Sequence, residues 1–249
     1  MTARERFAAL CEREAERADG TAGERFELYA EKRLHRVLKD FISEDKATQE
    51  QSVGKYTADV LVGDEIVEIQ TKSLRPLLSK LSYYLDETDY RVSVVHPIVA
   101  EKTLIRAERE TGEVLSCKKS PKKGRVFDGL AELYWLSSLL PNERFCVRFC
   151  LLRADEVRYS ERVRYRKTGA YDSELFPREL LDEVVLQSRE DYRLFLPEGA
   201  TDFTAAEYAV FSKLRGRKLY SALNTLCAIG VLRKEQEGKK YRYCVITLF

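Results

Sequence analysis

Polar side chains alternate with apolar ones in the segment EIVEIQTK, which ends at Lys72. Because successive side chains of a β-strand point to opposite faces, a strand here carries Glu68, Gln70 and Lys72 on one face. Asp59 is the only acid in the preceding apolar stretch, YTADVLV, and a tight turn would pair the two stretches as a hairpin. The sequence therefore predicts that Asp59 lies beside Gln70 and Lys72.

These residue types are suited to the hydrolysis of a phosphodiester. That reaction needs a divalent cation held by one or two carboxylates, which lowers the pKa of a bound water and neutralises charge on the scissile phosphate. A lysine ammonium nearby adds positive charge. Asp59, Gln70 and Lys72 could supply these groups. A solvent-facing polar stripe on a half-exposed hairpin stays open as the alternative, because 34% of the residues are charged and such patterns are frequent.

The elements that would position these residues follow from the periodicity of apolar residues. The sequence predicts a charged helix over residues 2–18 and a break at 19–23. It then predicts, in chain order, a helix, three strands, a helix and a strand, over residues 24–41, 47–53, 56–62, 65–72, 74–85 and 90–99. We expect the three strands to form an antiparallel meander.

This order of elements, with an Asp on the second strand and Gln70-Thr71-Lys72 on the third, resembles the PD-(D/E)xK nuclease superfamily and its Mrr-like Gln-x-Lys variant. The resemblance covers residues 23–99 and implies an α/β fold: a restriction endonuclease-like αβββαβ core whose mixed sheet is flanked by helices. It also implies a cofactor, Mg²⁺ or Mn²⁺. Asp59 would then be the metal-binding aspartate, Gln70 the residue at the second acidic position and Lys72 the catalytic lysine. The Thr71 carbonyl would be a further metal ligand.

The first core helix often adds an acid to the site in that superfamily, and Glu27, inside the apolar arc of the helix, is the candidate here. Two positions depart from the family pattern: Ala58 replaces the motif proline, and Gln70 is neutral. Glu68 shares the face of Gln70 and can restore the missing charge as a metal ligand. If Glu68 is instead paired with Lys72 or Lys80, the chain would keep the fold as an inactive binding module.

Composition limits the class of protein. The chain has 249 residues, 44% hydrophobic, with 6 Pro and 12 Gly, which excludes collagen-like and wholly disordered chains. The six cysteines are scattered, so we interpret them as reduced core residues, and two distant histidines argue against a zinc site. No apolar run is long enough to span a membrane, and the charged N-terminus lacks the features of a signal peptide. The sequence therefore predicts a cytoplasmic protein without membrane association.

Residues 100–170 are expected to extend the nuclease-like domain to residues 1–170. The pattern predicts a hairpin over 102–115, a helix over 128–140, a strand over 144–153 and a linker over 160–170. Trp135 lies among the leucines of that helix and is interpreted as a core residue.

Residues 171–249 carry a different pattern: helices at 177–196, 204–213 and 217–229, then two short strands around 237–239. This order resembles a winged helix, an α+β domain that binds DNA. The helix at 217–229 has an apolar face and an exposed face, and the exposed face and the wing supply the candidate nucleic-acid-binding residues: Arg217, Tyr220, Ser221, Asn224, Lys239 and Lys240. Arg242 is a further candidate for contact with the DNA backbone. From Lys213 to Arg242 the sequence has nine lysines and arginines against two glutamates, which suits a polyanion. A winged helix used for protein contacts or dimerisation stays open.

Taken together, the sequence predicts a Mg²⁺-dependent endonuclease-like protein that hydrolyses DNA, with a C-terminal winged-helix DNA-binding module. The alternative is a catalytically inactive nuclease fold that acts as a DNA-binding, regulatory or protein-interaction module. DNA is the expected partner, and homodimer formation stays open.

Overall fold

The computed structural model of the chain describes residues 1–19, 30–108, 111–160, 173–238 and 240–246. Within them the protein is a mixed α/β structure built on a seven-stranded mixed sheet flanked by helices, with a second sheet of three strands. The elements are, in chain order, α1 (Ala3–Asp19), α2 (Ala30–Ile42), β1 (Gln49–Val53), β2 (Tyr56–Val62), β3 (Glu65–Ile69), α3 (Leu78–Glu87), β4 (Arg91–Glu108), β5 (Val114–Lys119), α4 (Val126–Glu132), β6 (Phe145–Ser160), β7 (Ser173–Leu186), β8 (Asp202–Thr204), α5 (Ala205–Ser212), α6 (Gly216–Ala228), β9 (Leu232–Glu237) and β10 (Lys240–Val245).

The large sheet has the strand order β1-β2-β3-β4-β6-β7, and β5 pairs with β4. Strands β2 and β3 are antiparallel, and the turn between them is made by Gly63, whose φ of 58° favours glycine. Strands β3 and β4 are parallel, so the chain must cross over between them, and it does so through α3. Gly54, between β1 and β2, also has a positive φ, and a side chain there would collide with the Tyr83 hydroxyl.

The chain divides into two compact units. The first comprises Met1–Gln49, Pro97–Gly124 and Cys150–Glu183. In it, α1 packs on α2 through the rings of Phe7 and Phe41, whose centroids lie 5.3 Å apart. Strand β5 pairs with the second half of β4 as an antiparallel hairpin.

The second unit comprises Glu50–His96, Arg125–Phe149 and Val184–Phe249, and it contains β2, β3 and α3. The Arg144 guanidinium holds the end of α3 in place, because it donates hydrogen bonds to the carbonyls of Leu85, Thr88 (2.6 Å) and Tyr90 (3.0 Å). These bonds satisfy carbonyls that have no partner within the helix.

Residues 202–245, here called the C-terminal module, also belong to the second unit and contain the small sheet, of order β8-β10-β9. Thr204 is the N-cap of α5. Its side-chain oxygen accepts a hydrogen bond from the backbone amide of Glu207, and the Glu207 carboxylate accepts one from the backbone amide of Thr204. The core of the module includes Phe203, which stacks on Tyr208 at 5.2 Å and on Tyr243 at 6.3 Å between ring centroids.

The predicted order of one helix, three strands, a helix and a strand is present as α2, β1–β3, α3 and β4, although residues 20–29 lie outside the described part of the chain. The predicted third strand is too long, since β3 ends at Ile69 rather than Lys72. The predicted helix at 177–196 is wrong: the first half of this stretch belongs to strand β7, beside β6, and the helical part is a 3₁₀ turn, Arg189–Phe195. The predicted domain boundary at residue 170 falls in residues 161–172, which are not described, and the two compact units divide the chain at other points.

Cysteine burial corrects a further expectation. Cys11, Cys146 and Cys150 are buried, whereas Cys117 is exposed, so the interpretation of all six as core residues is wrong for Cys117. Cys117 lies on β5, whose residues are all exposed. Among the helices that the structure describes, none has the length and apolar character needed to cross a bilayer.

Candidate functional site

Two carboxylates lie side by side on β2 and β3. The antiparallel register pairs Val60 with Val67, and its continuation by one residue places Asp59 opposite Glu68, on the same face of the sheet. Oδ2 of Asp59 accepts a hydrogen bond from the Ile69 amide at 2.8 Å. The hairpin thus fixes the Asp59 side chain next to the end of β3.

Glu68 is 1% exposed, which is rare for a glutamate. Its Oε2 accepts from Nζ of Lys80, on α3, at 2.6 Å. Its Oε1 is also buried, and the carboxyl group interacts with the Tyr84 hydroxyl. Burial, and after it the neighbouring Asp59 charge, raise the pKa of Glu68 from its ordinary value of 4.5 to about 7, although Lys80 opposes both effects.

Aromatic side chains surround this pair of carboxylates. Tyr84 is fully buried, and its hydroxyl interacts with the Glu68 carboxyl group. Burial first, and then the charge of Glu68, raise the pKa of Tyr84, so this phenol is neutral. The rings of Tyr56 and Tyr83 lie 6.0 and 6.2 Å from that of Tyr84. The surroundings of Glu68 are therefore poor in water, which strengthens its electrostatic interactions.

The segment after β3 is not the extended strand that the sequence predicts. The backbone amide of Gln70 still donates a hydrogen bond to the Val95 carbonyl at 3.0 Å, but Thr71 and Lys72 lie in a bend. Thr71 is half-buried and Lys72 is exposed. The structure thus brings together Asp59 and Glu68, and it places Lys80, on the following helix, in contact with Glu68.

His96 holds the start of this bend. It is buried on β4, where the second unit ends within that strand, and its Nδ1 lies 2.6 Å from the Gln70 carbonyl oxygen. Burial lowers the pKa of His96, so the ring is neutral and Nδ1–H donates to that carbonyl. The histidine therefore orients the peptide between Gln70 and Thr71, a role that no local sequence pattern indicates.

Two predicted site residues, Glu27 and Lys239, lie outside the described residues. In the described part of the chain, no three side chains of His, Cys, Asp or Glu come close enough together to hold a metal. A cation at this position would therefore rest on the two carboxylates, Asp59 and Glu68, among the described acidic side chains.

The buried Glu68 should make the stability of the protein depend on pH. Because its pKa is higher in the folded than in the unfolded chain, the stabilisation from its proton is complete below pH 4.5 and is lost as pH rises through about 7. Glu68→Gln removes this dependence, so the free energy of unfolding of wild type relative to the variant should fall by up to about 3 kcal/mol between pH 4.5 and pH 9. Urea denaturation at several pH values measures it. Glu87→Gln, at an exposed position on α3, is the control, and its free energy of unfolding should depend on pH as that of wild type does. If the free energy of unfolding of Glu68→Gln showed the same pH dependence as wild type, the burial argument would be contradicted.

The C-terminal module presents the predicted polar face on α6. Leu219, Leu223 and Leu226 are buried, as expected, and the exposed residues of the helix include Arg217, Tyr220 and Asn224. Ser221 is half-buried, and Lys240 is exposed on β10. The Arg242 guanidinium is paired with Asp202 of β8, and its contact with a DNA backbone stays a prediction.

Trp135 is not the core residue that the sequence predicts. It is half-exposed on the 3₁₀ turn Leu133–Leu136, where the apolar period of α4 has already ended. Leu133 and Leu136 take the buried positions of that turn.

Comparisons with known proteins place the chain in a family without assigning it an activity. The family model described as "Domain of unknown function (DUF8091)" matches residues 32–187, which include Asp59, Glu68, Lys80 and Trp135. An uncharacterized protein of Treponema pallidum (strain Nichols) is 33% identical over 164 residues, which cover 64% of this chain and 61% of that protein. The chain thus spans less than two thirds of that relative's length. No solved structure matches.

Proposed function

The chain belongs to the family described as a domain of unknown function (DUF8091), and we propose that it is a metal-dependent endonuclease-like protein that hydrolyses phosphodiester bonds in DNA. The proposal is carried by the adjacent carboxylates of Asp59 and Glu68, because Glu68 is buried next to a second acid whose charge raises its pKa. Two acids held side by side with one of them buried repel each other, and such an arrangement is typical of functional sites.

The donor set suits a hard divalent cation. Mg²⁺ and Mn²⁺ bind carboxylate and carbonyl oxygens, and Mg²⁺ keeps several waters while it uses one or two protein carboxylates. Asp59 and Glu68 would hold the ion, and the Gln70 amide oxygen and Thr71 carbonyl remain candidate ligands in the bend after β3. A bound ion would activate a water and neutralise charge on the scissile phosphate.

The remaining groups of the site would assist through charge and position. The Lys80 ammonium, now bonded to Oε2 of Glu68, would donate to a phosphate oxygen or to the attacking water. Lys72, exposed in the bend, would approach the substrate from solvent. Tyr56, Tyr83 and Tyr84 would exclude bulk water from the carboxylates.

The order of elements adds support from resemblance. The sequence α2-β1-β2-β3-α3-β4, with β2 antiparallel and β4 parallel to β3, is similar to the αβββαβ core of PD-(D/E)xK nucleases. The order β8-α5-α6-β9-β10 is similar to a winged helix. Under this proposal α6 would enter the major groove, with Arg217, Tyr220, Ser221 and Asn224 towards the DNA, while Lys239 and Lys240 contact phosphates.

A second function is favoured by the ion pair of Glu68 and Lys80. A buried carboxylate that already has an ammonium partner at 2.6 Å needs no metal to offset its charge, and Gln70 is neutral. The chain would then be a catalytically inactive nuclease fold that binds DNA or a protein.

Titration calorimetry with Mn²⁺ separates the two functions. At pH 8, above the pKa of Glu68, wild type should bind Mn²⁺, and Asp59→Asn should weaken the affinity by about tenfold or more. The asparagine keeps an acceptor for the Ile69 amide and removes only the charge. Asp64→Asn, at an exposed position in the same hairpin, is the matched control and should bind like wild type. If wild type and Asp59→Asn release the same heat, the metal site is refuted and the inactive fold stands.

A further inference from the structure

Trp135 is the single tryptophan of the chain, and two arginines from other elements converge on its ring. The guanidinium carbon of Arg75 lies 4.9 Å from the ring centroid, and that of Arg217 lies 5.4 Å from it. Arg75 begins the 3₁₀ turn before α3, and Arg217 lies in the first turn of α6. The half-exposed ring of Trp135 therefore sits beside two cations that belong to widely separated parts of the sequence.

Both arginines are exposed, and neither guanidinium has a carboxylate partner within the described part of the chain. Asp128, an acid at the start of α4, is engaged by Lys218 at 2.7 Å. Each guanidinium instead lies over the indole ring as a cation–π partner, and this contact leaves the N–H donors at its edge for an anion.

The ligand that matches all three side chains is a nucleotide with an unstacked base. Arginine forms bidentate hydrogen bonds with phosphate, and bases stack on aromatic rings in proteins that bind single strands. Tyr134, 38% exposed with its ring 5.6 Å from that of Trp135, extends the aromatic surface. In a duplex both faces of each base are already covered, so this surface favours an unpaired nucleotide.

We propose that Arg75, Trp135 and Arg217 form a binding site for an unpaired nucleotide of DNA, with the phosphate on the arginines and the base against the aromatic surface that Tyr134 extends beside Trp135. The proposal rests on the proposed action on DNA and specifies the form of the substrate. Arg75 follows the bend that carries Gln70 and Lys72, and Arg217 belongs to the exposed face of α6. A DNA strand bound at Trp135 would therefore contact Arg75, close to the bend after β3, and Arg217, on the exposed face of α6.

Trp135 reports on this site directly, because its fluorescence is the only tryptophan emission of the protein. The probe is a labelled oligodeoxythymidylate of about ten nucleotides, a length that such sites cover, in buffer with a chelator so that no cleavage occurs. We expect the tryptophan emission to change saturably, with the same midpoint as the anisotropy of the label. An oligomer of equal length that lacks bases should bind more weakly and leave the emission unchanged.

Variants locate the charges. Arg75→Gln and Arg217→Gln should each weaken binding of the oligomer, and together by about tenfold or more, with a smaller dependence on salt. Trp135→Phe should retain most of the affinity, whereas Trp135→Ala should lose it. Arg193→Gln is the matched control, since Arg193 lies in the same unit and is paired with Glu190 at 3.4 Å, and it should bind like wild type.

Three results would overturn the site: no binding of the oligomer, binding without a change in tryptophan emission, or unchanged affinity in the double arginine variant. Any of them would leave the three side chains with a purely structural role, and thermal unfolding of the variants would then show it. The experiment needs no metal, so its outcome is independent of the carboxylate pair. Cleavage without oligomer binding at Trp135 would refute this site alone, and oligomer binding without metal-dependent cleavage would refute the nuclease alone.

Discussion

Replacing Asp59 by asparagine should lower the rate of metal-dependent DNA cleavage by at least about 10³-fold. A metal ion contributes several kcal/mol of transition-state stabilisation, and about 4 kcal/mol corresponds to about 10³ in rate. The substitution removes one of two carboxylates and keeps an acceptor for the Ile69 amide, so the hairpin of β2 and β3 should persist. Single-turnover cleavage of a labelled oligonucleotide with Mn²⁺ or Mg²⁺ measures the rate.

The matched control is again Asp64→Asn, an exposed acid in the same hairpin, which should cleave at the wild-type rate. Affinity for DNA in the presence of a chelator should change by less than about twofold in either variant, because neither residue lies in the C-terminal module or near Trp135 in the sequence. Cleavage by Asp59→Asn at the wild-type rate would show that the activity arises elsewhere. Absence of cleavage by wild type on single-stranded and double-stranded DNA would leave the inactive fold as the remaining function.

The hairpin that carries Asp59 could be predicted because its signals are local. Residues 56–62 alternate between buried and more exposed positions, and Gly63 supplies the positive φ of the turn. The end of β3 could not be predicted in the same way. The period of two continues through Lys72 in the sequence, but the strand ends where the neutral His96 engages the Gln70 carbonyl. That bond joins the residue after β3 to a residue of the parallel neighbour β4, and no pattern within β3 encodes it.

Strand β7 shows the same limit on a larger scale. The sequence predicts a helix over residues 177–196. The first part of this stretch instead pairs as an edge strand of the large sheet, beside β6. Pairing with a partner strand supplies hydrogen bonds that a local propensity does not reveal, and it overrides the helical preference.

The candidate site was predicted in its residue types and in part of its geometry. The face shared by Glu68 and Gln70 followed from the period of a strand, and pairing of Glu68 with Lys80 was one alternative. Which acid lies opposite Asp59 depends on the register of the hairpin, and whether Lys80 reaches Glu68 depends on the rotation of α3 about its axis. Both are set by packing. Lys80 and Tyr84, four residues apart on α3, lie on one face of the helix, which is the signal that could have identified Lys80 as a partner of Glu68.

Lys80 and Lys72 can therefore be separated by experiment. If the ammonium in contact with Glu68 acts on the substrate, Lys80→Ala should lower the cleavage rate by about 10²-fold, as expected when one preorganised electrostatic group is removed. Lys72→Ala, at an exposed position, should lower the rate by less than about tenfold. Single-turnover rates at saturating Mn²⁺ give both numbers.

Metal affinity provides the second measurement, because Lys80 and a cation compete for Glu68. Without Lys80 the pKa of Glu68 should rise, since the ammonium now lowers it, so the variant should bind Mn²⁺ more weakly than wild type near pH 7. Above the new pKa the carboxylate is ionised and has no competing partner, so Mn²⁺ affinity at pH 9 should equal or exceed that of wild type. Slow cleavage combined with undiminished metal binding at pH 9 would assign Lys80 to the chemical step. The opposite result, a loss of about 10² in Lys72→Ala with Lys80→Ala unaffected, would return that role to Lys72 and leave Lys80 as the counter-ion of a buried glutamate.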